Sequence, residues 1–194
     1  MPYIYKIATI NINAISSVNC IQLLGDFLFH QDIDIALLQE ATTTNLTCIR
    51  NYTVHDNIGT EGRDTAILSK TGITITDVMR LPSERGIAAN LFGTKIINIY
   101  APSGAEKKAE RERFFSNVIL PLLPTKQSDL LLAGDFNCIL HPSESTGNGS
   151  FSQSLEILVR EMEIYDAWEK LNSDNGYTHY SPKLASRIDR IYLS

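Results

Sequence analysis

Short apolar runs separated by turn residues recur along the whole chain. Runs bounded by Gly, Pro, Asn or Asp are typical of β-strands, and continuously apolar runs are typical of strands buried on both faces. Gly134 and Asp135 end one such buried run. The pattern predicts strands over Tyr5–Ile12, Asp34–Leu38, Thr65–Ser69, Ile73–Met79, Ile87–Leu91, Lys95–Tyr100, Asp129–Ala133 and Ile188–Leu193.

Apolar residues recur at helical spacing in a few segments between the strands. Gln153–Met162 is one predicted helix. Ala105–Leu120 is another; its early turns carry many charges, which favours a solvated face over a DNA contact, and Pro121 and Pro124 end it. A third, Ser16–His30, places these residues mostly on one face: Val18, Ile21, Leu23, Leu24, Phe27 and Leu28. Many strands with few helices predict two β-sheets packed face to face and flanked by helices.

The composition indicates a single globular domain over residues 1–194. Hydrophobic residues make up 43% and charged residues 20% of the chain, which is ordinary for a soluble domain with a real core. No apolar run is long enough to cross a bilayer and no signal peptide is evident, so no membrane partner is expected. Three widely spaced cysteines without a CxxC pair argue against a zinc knuckle and favour a reducing compartment, the cytosol or nucleus.

The formal net charge of −5 argues mildly against nucleic-acid binding, because such binding usually requires a basic surface. The argument is not decisive. A hydrolase that binds Mg²⁺ must place carboxylates in its site, and a partner domain can supply most of the affinity for DNA.

Polar residues follow the buried strands at the points where the strands end. The set lacks a Ser-His-Asp arrangement and a Gly-rich phosphate loop, but it offers carboxylates, amides and a phenol that distant segments can bring together. Such an inventory suits metal-assisted attack of water on a phosphate ester. The residues are Asn11, Gln39, Glu40, Tyr100, Asp135 and Asn137.

Each residue also has a purely structural interpretation. Glu40 can cap the turn that follows it, and Asp135 and Asn137 can form a turn. Asn11 can form an Asx turn, and the Tyr100 hydroxyl can be satisfied within the core. In the same way, Asp189 can pair with a neighbouring arginine, Arg187 or Arg190.

Five short motifs in a fixed order carry a family resemblance that covers essentially the whole chain. They are Ile10–Asn13 (ININ), Leu38–Glu40 (LQE), Asn98–Gly104 (NIYAPSG), Gly134–Asn137 (GDFN) and Ser186–Asp189 (SRID). In this order they resemble the endonuclease/exonuclease/phosphatase family. The residues within the motifs are most similar to those of the endonucleases of non-LTR (LINE) retrotransposons. The resemblance implies a DNase I-like, four-layered α/β (α+β) sandwich with two mostly antiparallel sheets.

The resemblance also implies roles for individual residues. Glu40 and Asn11 match the metal ligands, with Mg²⁺ or alternatively Mn²⁺ as the ion. Asp135 matches the aspartate that aligns or deprotonates the attacking water, and Asn137 the asparagine that hydrogen-bonds the scissile phosphate. Tyr100 matches a tyrosine that donates to a phosphate oxygen. Asp189 matches an aspartate that orients a histidine.

The implied reaction nicks double-stranded DNA and leaves a 3′-hydroxyl primer for reverse transcription. The resemblance therefore implies a nuclear protein, expected as a monomer, with a reverse transcriptase domain downstream.

The family closes with a Ser-Asp-His segment on a last strand, and this chain stops at Ser194. None of its four histidines, His30, His55, His141 and His179, fits that closing motif. We therefore expect a domain truncated at its C-terminus that lacks the final strand, with an unpaired sheet edge and impaired cleavage.

Contacts to DNA phosphates are expected from Lys183, Arg187 and Arg190, with a solvated surface role as the alternative. Three other functions stay open at this point: a host abasic-site repair endonuclease, a phosphatase acting on phospholipids or inositol phosphates, and a catalytically inactive remnant that binds nucleic acid or a partner. The chain shows no basic cluster of the kind a multiply phosphorylated substrate needs.

Overall fold

The computed structural model describes residues 4–42, 44–60, 62–123, 129–182 and 184–194. Two large β-sheets dominate it. The first sheet has the strand order β1-β2-β4-β3, in which β1 and β2 are parallel and the other pairs antiparallel. Its strands are β1 (Ile7–Asn11), β2 (Ile35–Gln39), β3 (Tyr52–Asn57) and β4 (Thr65–Lys70).

The second sheet has the order β5-β6-β7-β8-β12-β9, and only its β7–β8 pair is parallel. A separate hairpin consists of β10 (His179–Ser181) and β11 (Leu184–Ser186). The strands of the second sheet are β5 (Thr76–Arg80), β6 (Gly86–Leu91), β7 (Thr94–Tyr100), β8 (Leu130–Asp135), β9 (Tyr165–Asp166) and β12 (Asp189–Leu193).

The two sheets pack face to face, and their facing side chains form the central core. Side chains of a strand alternate between its two faces, so Ile35 and Leu37 of β2 point toward the second sheet. They belong to one buried cluster with Ile87 and Leu131. Residues of opposite parity in the first sheet pack instead against α1 (Val18–His30). Burial on both faces explains why these strands are continuously apolar.

A second helical layer covers the outer face of the second sheet. It contains α2 (Lys108–Arg113), a π-helical turn (Phe114–Ile119) and α3 (Gln153–Met162). Phe115 and Ile119 belong to one buried cluster with residues of this sheet. The four layers confirm the predicted DNase I-like sandwich. A short helix, α4 (Ala167–Leu171), follows β9.

The boundaries of α1 and α3 follow from their caps. The Ser17 hydroxyl accepts a hydrogen bond from Cys20 N, and the Ser152 hydroxyl accepts one from Leu155 N. Each serine thereby satisfies a backbone donor that the first helical turn leaves free. The predicted helix Gln153–Met162 is confirmed to the residue.

The predicted helix Ala105–Leu120 is helical throughout, but its type changes along the segment. A 3₁₀ turn (Ala105–Lys107) precedes α2, and the wider π turn that follows α2 buries the adjacent Phe114 and Phe115. The apolar face of α1 is also narrower than predicted. Leu23 and Phe27 are 66% and 50% exposed, because the buried stripe follows Ile21, Leu24 and Leu28.

The hydrophobic pattern of the sequence did not predict several short strands or α4. β3, β9, β10 and β11 are short, polar or exposed, so they lack the apolar runs on which the prediction depends. In the part of the chain that the structure describes, no helix has the length and hydrophobicity needed to span a membrane.

Candidate active site

Strand pairing brings the predicted polar residues to one edge of the sandwich. In the first sheet Asn11 pairs with Gln39 across the parallel strands β1 and β2. In the second sheet Asp135 lies between Tyr100 of β7 and Asp189 of β12. Partners directly opposite one another project from the same face of a sheet, so these three side chains form a row.

The side chain of Asn11 joins the two sheets. Its Nδ2 donates to Glu40 Oε1 at 3.0 Å and to Asp135 Oδ2 at 3.1 Å. Its Oδ1 accepts a hydrogen bond from Asn13 N at 2.9 Å, so the Asx turn of the structural interpretation is also present. Residues 29 and 124 positions away in sequence thus meet at one amide.

Two residues of the site adopt a backbone conformation that favours glycine. Glu40 has φ of 52° and Asn137 has φ of 51°, and for residues with a side chain this left-handed region costs roughly 1 kcal/mol or more. Asn137 is held there by two hydrogen bonds: its N–H donates to Asp135 Oδ1 at 2.8 Å, and its Nδ2 donates to Ala101 O at 2.9 Å.

A buried amide pair supports the site from below. Asn98 Nδ2 donates to Leu38 O and Ala66 O of the first sheet at 2.8 and 2.9 Å. In return, Gln39 Nε2 donates to Asn98 Oδ1 at 2.6 Å. Both side chains are fully buried. Because Gln39 directly precedes Glu40, these bonds tie Glu40 to the strand that carries Tyr100.

Burial and neighbouring charges control the protonation of Asp135. Burial raises the pKa of Asp135, and the negative charges of Asp189 and Glu40 raise it further, to about 7. Hydrogen bonds from Asn137 N and the Asn11 amide only partly oppose this shift. The carboxylate is 4% exposed. A carboxylate with this pKa can accept a proton from water near neutral pH.

Asp189 is shifted in the same direction. Burial raises its pKa, while a hydrogen bond involving the Thr178 side chain and the charge of His179 act to lower it. Thr178 Oγ1 also accepts hydrogen bonds from Ile188 N and Asp189 N at 3.2 and 3.1 Å. The sequence analysis did not predict that the charge of His179 lowers the pKa of Asp189.

Tyr100 stays protonated near neutral pH and can therefore donate a hydrogen bond. Burial raises the pKa of Tyr100 to about 12; a hydrogen bond with Ser103 lowers it, and one with Glu40 raises it. The guanidinium carbon of Arg85 lies 5.7 Å from the centroid of the ring. Ser103 and Arg85 were missed in the sequence analysis, although Ser103 lies inside the NIYAPSG motif that drew attention to Tyr100.

The donor set at this edge fits a hard divalent cation. Glu40 offers a carboxylate, and Asn11 Oδ1 retains a lone pair beside the bond from Asn13 N. The like-charged carboxylates nearby would be relieved by a cation. Within the described residues, no group of three or more His, Cys, Asp or Glu side chains is arranged to enclose a metal. Few protein ligands suit Mg²⁺, because this ion keeps several waters.

The structure corrects the prediction that Arg187 and Arg190 contact DNA phosphates. Their side chains are 4% and 0% exposed. Arg190 pairs with Glu144 and Asp166 at 2.5 and 2.9 Å, and Arg187 pairs with Glu144 at 2.9 Å and also with Asp166. Guanidinium groups with buried carboxylate partners are not available to phosphate. The third predicted contact, Lys183, lies outside the described residues.

An open cavity of about 600 Å³ adjoins the site. It lies between β1, β12 and α4, and Asn11 and Asp189 line it together with Trp168, Leu171 and Thr178. Trp168 is held in place, because its Nε1 donates to Asp174 Oδ1 at 3.0 Å.

Comparison with known proteins gives one family match. The sequence matches the model described as the Endonuclease/Exonuclease/phosphatase family over residues 8–194. No curated protein sequence gives a significant match.

Solved structures with the same architecture include an AP endonuclease, a 3′ phosphatase and TDP2. An AP endonuclease from Archaeoglobus fulgidus has a TM-score of 0.77 at 21% identity, covering 98% of this chain and 86% of that chain. The 3′ phosphatase NExo from Neisseria, bound to a product DNA hairpin, has a TM-score of 0.78 at 21% identity, covering 98% and 87%. A humanized D. rerio TDP2 has a TM-score of 0.70 at 16% identity, covering 97% and 82%. At these identities the likeness establishes the shared fold.

Proposed function

Because the chain belongs to the endonuclease/exonuclease/phosphatase family, whose members hydrolyse phosphate esters, we propose that it is a Mg²⁺-dependent endonuclease acting on double-stranded DNA. The observation that carries the proposal is the Asn11 amide, which joins Glu40 of one sheet to Asp135 of the other at hydrogen-bond distance. Glu40, which can bind a cation, and Asp135, which can accept a proton, therefore lie next to the same space.

Each side chain has a distinct task in this proposal. Glu40 and Asn11 would hold the cation, Mg²⁺ or Mn²⁺, which would neutralise the phosphate charge as a Lewis acid. Asp135 orients a water molecule and accepts its proton as the water oxygen bonds to phosphorus. The Asn137 amide and the Tyr100 hydroxyl donate to phosphate oxygens as negative charge develops. Asp189 lies beside Asp135 and keeps its pKa raised.

The proposed product is a nick. The bond between phosphorus and O3′ breaks, O3′ takes up a proton from solvent, and the phosphate stays on the 5′ end of the downstream fragment. A free 3′-hydroxyl is a primer for a polymerase. The similarity of the NIYAPSG and GDFN motifs to those of non-LTR retrotransposon endonucleases supports priming of reverse transcription as the purpose. We therefore also propose a monomer that acts in the nucleus with a reverse transcriptase as partner.

Nicking of supercoiled plasmid in the presence of Mg²⁺ tests the proposal. We expect the wild-type chain to convert supercoiled into open-circular plasmid, and chelation of the metal or Asp135→Ala to abolish the conversion. Extension of the nicked product by a DNA polymerase without further treatment reports the 3′-hydroxyl. DNA binding without metal-dependent nicking would instead support an inactive binding domain. Selective cleavage at abasic sites would support a repair endonuclease.

A further inference from the structure

The edge of the first sheet along β1 carries free backbone groups. Ile12 N donates to Gln39 O at 3.0 Å, so the even-numbered residues of this segment direct their backbone groups toward β2. In a parallel pair these groups alternate in direction, so those of Ile7, Thr9 and Asn11 point outward. Within the described residues, none of these outward N–H or C=O groups has a hydrogen-bond partner. An edge of this kind is a template for another strand.

The other edges of the two large sheets are protected against such pairing. β3, at the opposite edge of the first sheet, carries Asp56, whose carbonyl oxygen already accepts a hydrogen bond from Arg80 Nε at 2.6 Å. In the second sheet β5 carries Asp77 and an irregular register, and β9 has only two residues. Charge, irregular pairing and short length are the usual protections of an edge strand. β1 has none of these, because its five residues are uncharged and regularly paired.

Apolar side chains of α1 flank the free edge on one face of the sheet. A 3₁₀ turn (Thr44–Cys48) packs between α1 and β3, and Phe29 lines a groove with Ile49 on that flank of the helix. The opposite flank therefore turns toward β1. It carries Leu23 and Phe27, which lie one helical turn apart and are at least half exposed.

The cavity beside the candidate active site flanks the same edge on the other face. Thr9 and Asn11 line it together with Trp168 and Leu171 of α4. Leu171 is 80% exposed and Trp168 is 41% exposed. A strand added to β1 would alternate its side chains between this cavity and the flank of α1. It would therefore cover both sets of apolar side chains.

We infer that β1 is a dimer interface, at which two copies of this chain pair their β1 strands antiparallel about a two-fold axis at Thr9. In this register Thr9 lies opposite Thr9 of the second copy, and Ile7 lies opposite Asn11. Opposite residues of a hydrogen-bonded antiparallel pair exchange both N–H···O bonds. The pairing therefore satisfies all the outward groups of both strands at once, and the edge is complementary to itself.

Charge and area favour a second copy as the occupant of this edge. No like charges meet in this register, because Ile7–Asn11 is uncharged and Lys6 Nζ donates to Gln31 O of its own copy at 2.6 Å. The paired strands and their apolar flanks bury on the order of 1,000 Å² in total, which is the lower end for specific association. The dimer should therefore be weak, and the monomer proposed above should predominate at low concentration.

Pairing in this register would cover the candidate active site. The second copy runs antiparallel, so its Ile4–Lys6 segment passes Asn11 and continues toward the loop after β1. Its Ile7 projects into the cavity beside Asn11, because opposite residues share one face of a sheet. The monomer is then the form that nicks DNA and the dimer an inactive form, a consequence that rests on the proposed function.

Sedimentation velocity of the full chain under reducing conditions, between about 5 and 200 µM, tests the dimer. We expect the weight-average sedimentation coefficient of wild type to rise with concentration. Phe27→Lys should weaken association about tenfold or more, because it places a charge from each copy in the apolar flank. Phe29→Lys is the matched control, since it makes the same exchange at an exposed position on the other flank of α1. A constant sedimentation coefficient for wild type, or an equal loss of association in both variants, overturns the inference.

Thr9→Cys tests the register. Opposite residues of a hydrogen-bonded pair have Cα atoms about 5.5 Å apart, a separation that a disulfide can span. The background carries Cys20→Ser and Cys48→Ser, which remove the exposed native thiols. Oxidation at high concentration should convert most of Thr9→Cys into a covalent dimer. Thr53→Cys, at an exposed position of the opposite edge strand β3, is the matched control. Absence of the covalent dimer in Thr9→Cys, or equal cross-linking of the control, contradicts the pairing.

Plasmid nicking by the same proteins separates the dimer from the proposed function. Nicking per molecule should fall as the dimer forms, and reduction of the Thr9→Cys disulfide should restore it. Self-association of a chain that never nicks DNA would leave the dimer standing and remove the endonuclease. Nicking by a chain that stays monomeric at every concentration would remove the dimer and leave the endonuclease.

Discussion

The chemistry of the candidate site is dominated by three carboxylates that lie near the side-chain amide of Asn11. Asp135 is almost completely buried, and the charges of Glu40 and Asp189 act on it together with burial to raise its pKa. Asn11 offsets part of this repulsion by donating to two of the three groups. Such an arrangement is unfavourable for stability and useful for chemistry, so activity and stability should respond in opposite directions when one charge is removed.

Asp135→Asn tests this opposition. We expect nicking to fall by roughly 10² to 10⁴, the usual contribution of a general base. The metal-free melting temperature should stay equal or rise, because one of three close negative charges disappears. Plasmid nicking and thermal unfolding of the same preparation measure both effects. Asp129→Asn, an exposed aspartate immediately before the same strand, should change neither; a large loss of stability in Asp135→Asn would contradict this account.

Glu40→Gln tests the assignment of the cation ligand. An ion that binds only the folded chain stabilises it by mass action. At a Mg²⁺ concentration about tenfold above Kd the gain is about 1.4 kcal/mol, or roughly 3 °C in Tm for a chain of this size. Wild type should show this rise in calorimetry, Glu40→Gln should not, and the exposed control Glu161→Gln should behave as wild type. An undiminished rise in Glu40→Gln would place the cation elsewhere.

At the scale of elements, the parallel pair β7–β8 sets the spacing of the site. Gly134 lies opposite Ile99 in this pair and has φ of 138°. An added Cβ would collide with the carbonyl oxygen of Ile99, so only glycine permits the two strands to approach at this point. The close approach of the strands at Gly134 therefore sets the distance between the next paired residues, Asp135 and Tyr100.

Gly134→Ala should therefore destabilise the protein by more than backbone strain alone. Gly93→Ala is the matched control, because Gly93 also has positive φ, 93°, but open space around its Cβ position. We expect a loss of about 1 kcal/mol for the control and of roughly 3 kcal/mol or more for Gly134→Ala, where backbone must move as well. Urea unfolding measures both; equal losses would show that strain, not close approach, explains the glycine.

At the scale of the whole molecule, a buried charge network joins segments far apart in sequence. Glu144 lies in a 3₁₀ turn after β8, and Asp166 ends β9. Arg187 precedes β12, and Arg190 lies on it. Glu169 of α4 completes the network by pairing with Arg187 at 2.5 Å. The network holds β12 beside β8 and so positions the third carboxylate of the site.

Stability should fall in acid because of Glu144. Burial alone would raise the pKa of Glu144, but hydrogen bonds and the charge of Arg190 outweigh it and lower the pKa from 4.5 to about 2. The unfolded chain therefore binds more protons in this range. The contribution, roughly 3 kcal/mol for this buried group, is complete above pH 4.5 and is lost as the pH falls toward 2.

Glu144→Gln should accordingly be less stable than wild type by about 3–5 kcal/mol near neutral pH, and the difference should shrink as the pH approaches 2. Urea unfolding at a series of pH values measures the difference. Glu156→Gln, an exposed acid on α3, should show little difference at any pH. A gap between Glu144→Gln and wild type that is constant with pH would contradict the electrostatic explanation.

Residue order alone accounts for the layers of this fold and for the positions of its polar strand ends. The continuous apolar runs of β2 and β8 require burial on both faces, and that requirement is local information, readable from residue order. Glu40, Tyr100 and Asp135 were identified for the same reason, since each is the polar residue that ends or directly follows such a run.

Which side chains meet depends instead on contacts between segments that are far apart in sequence. The residues around Arg187 and Arg190 are typical of surface arginines, yet both side chains form ion pairs with buried carboxylates from distant segments. Arg111 stands in a run of charged residues typical of a solvated helix and is fully buried. Periodicity records how often a position faces the core, but the partner that satisfies a charge comes from strand and loop pairing over many residues, which no local pattern contains.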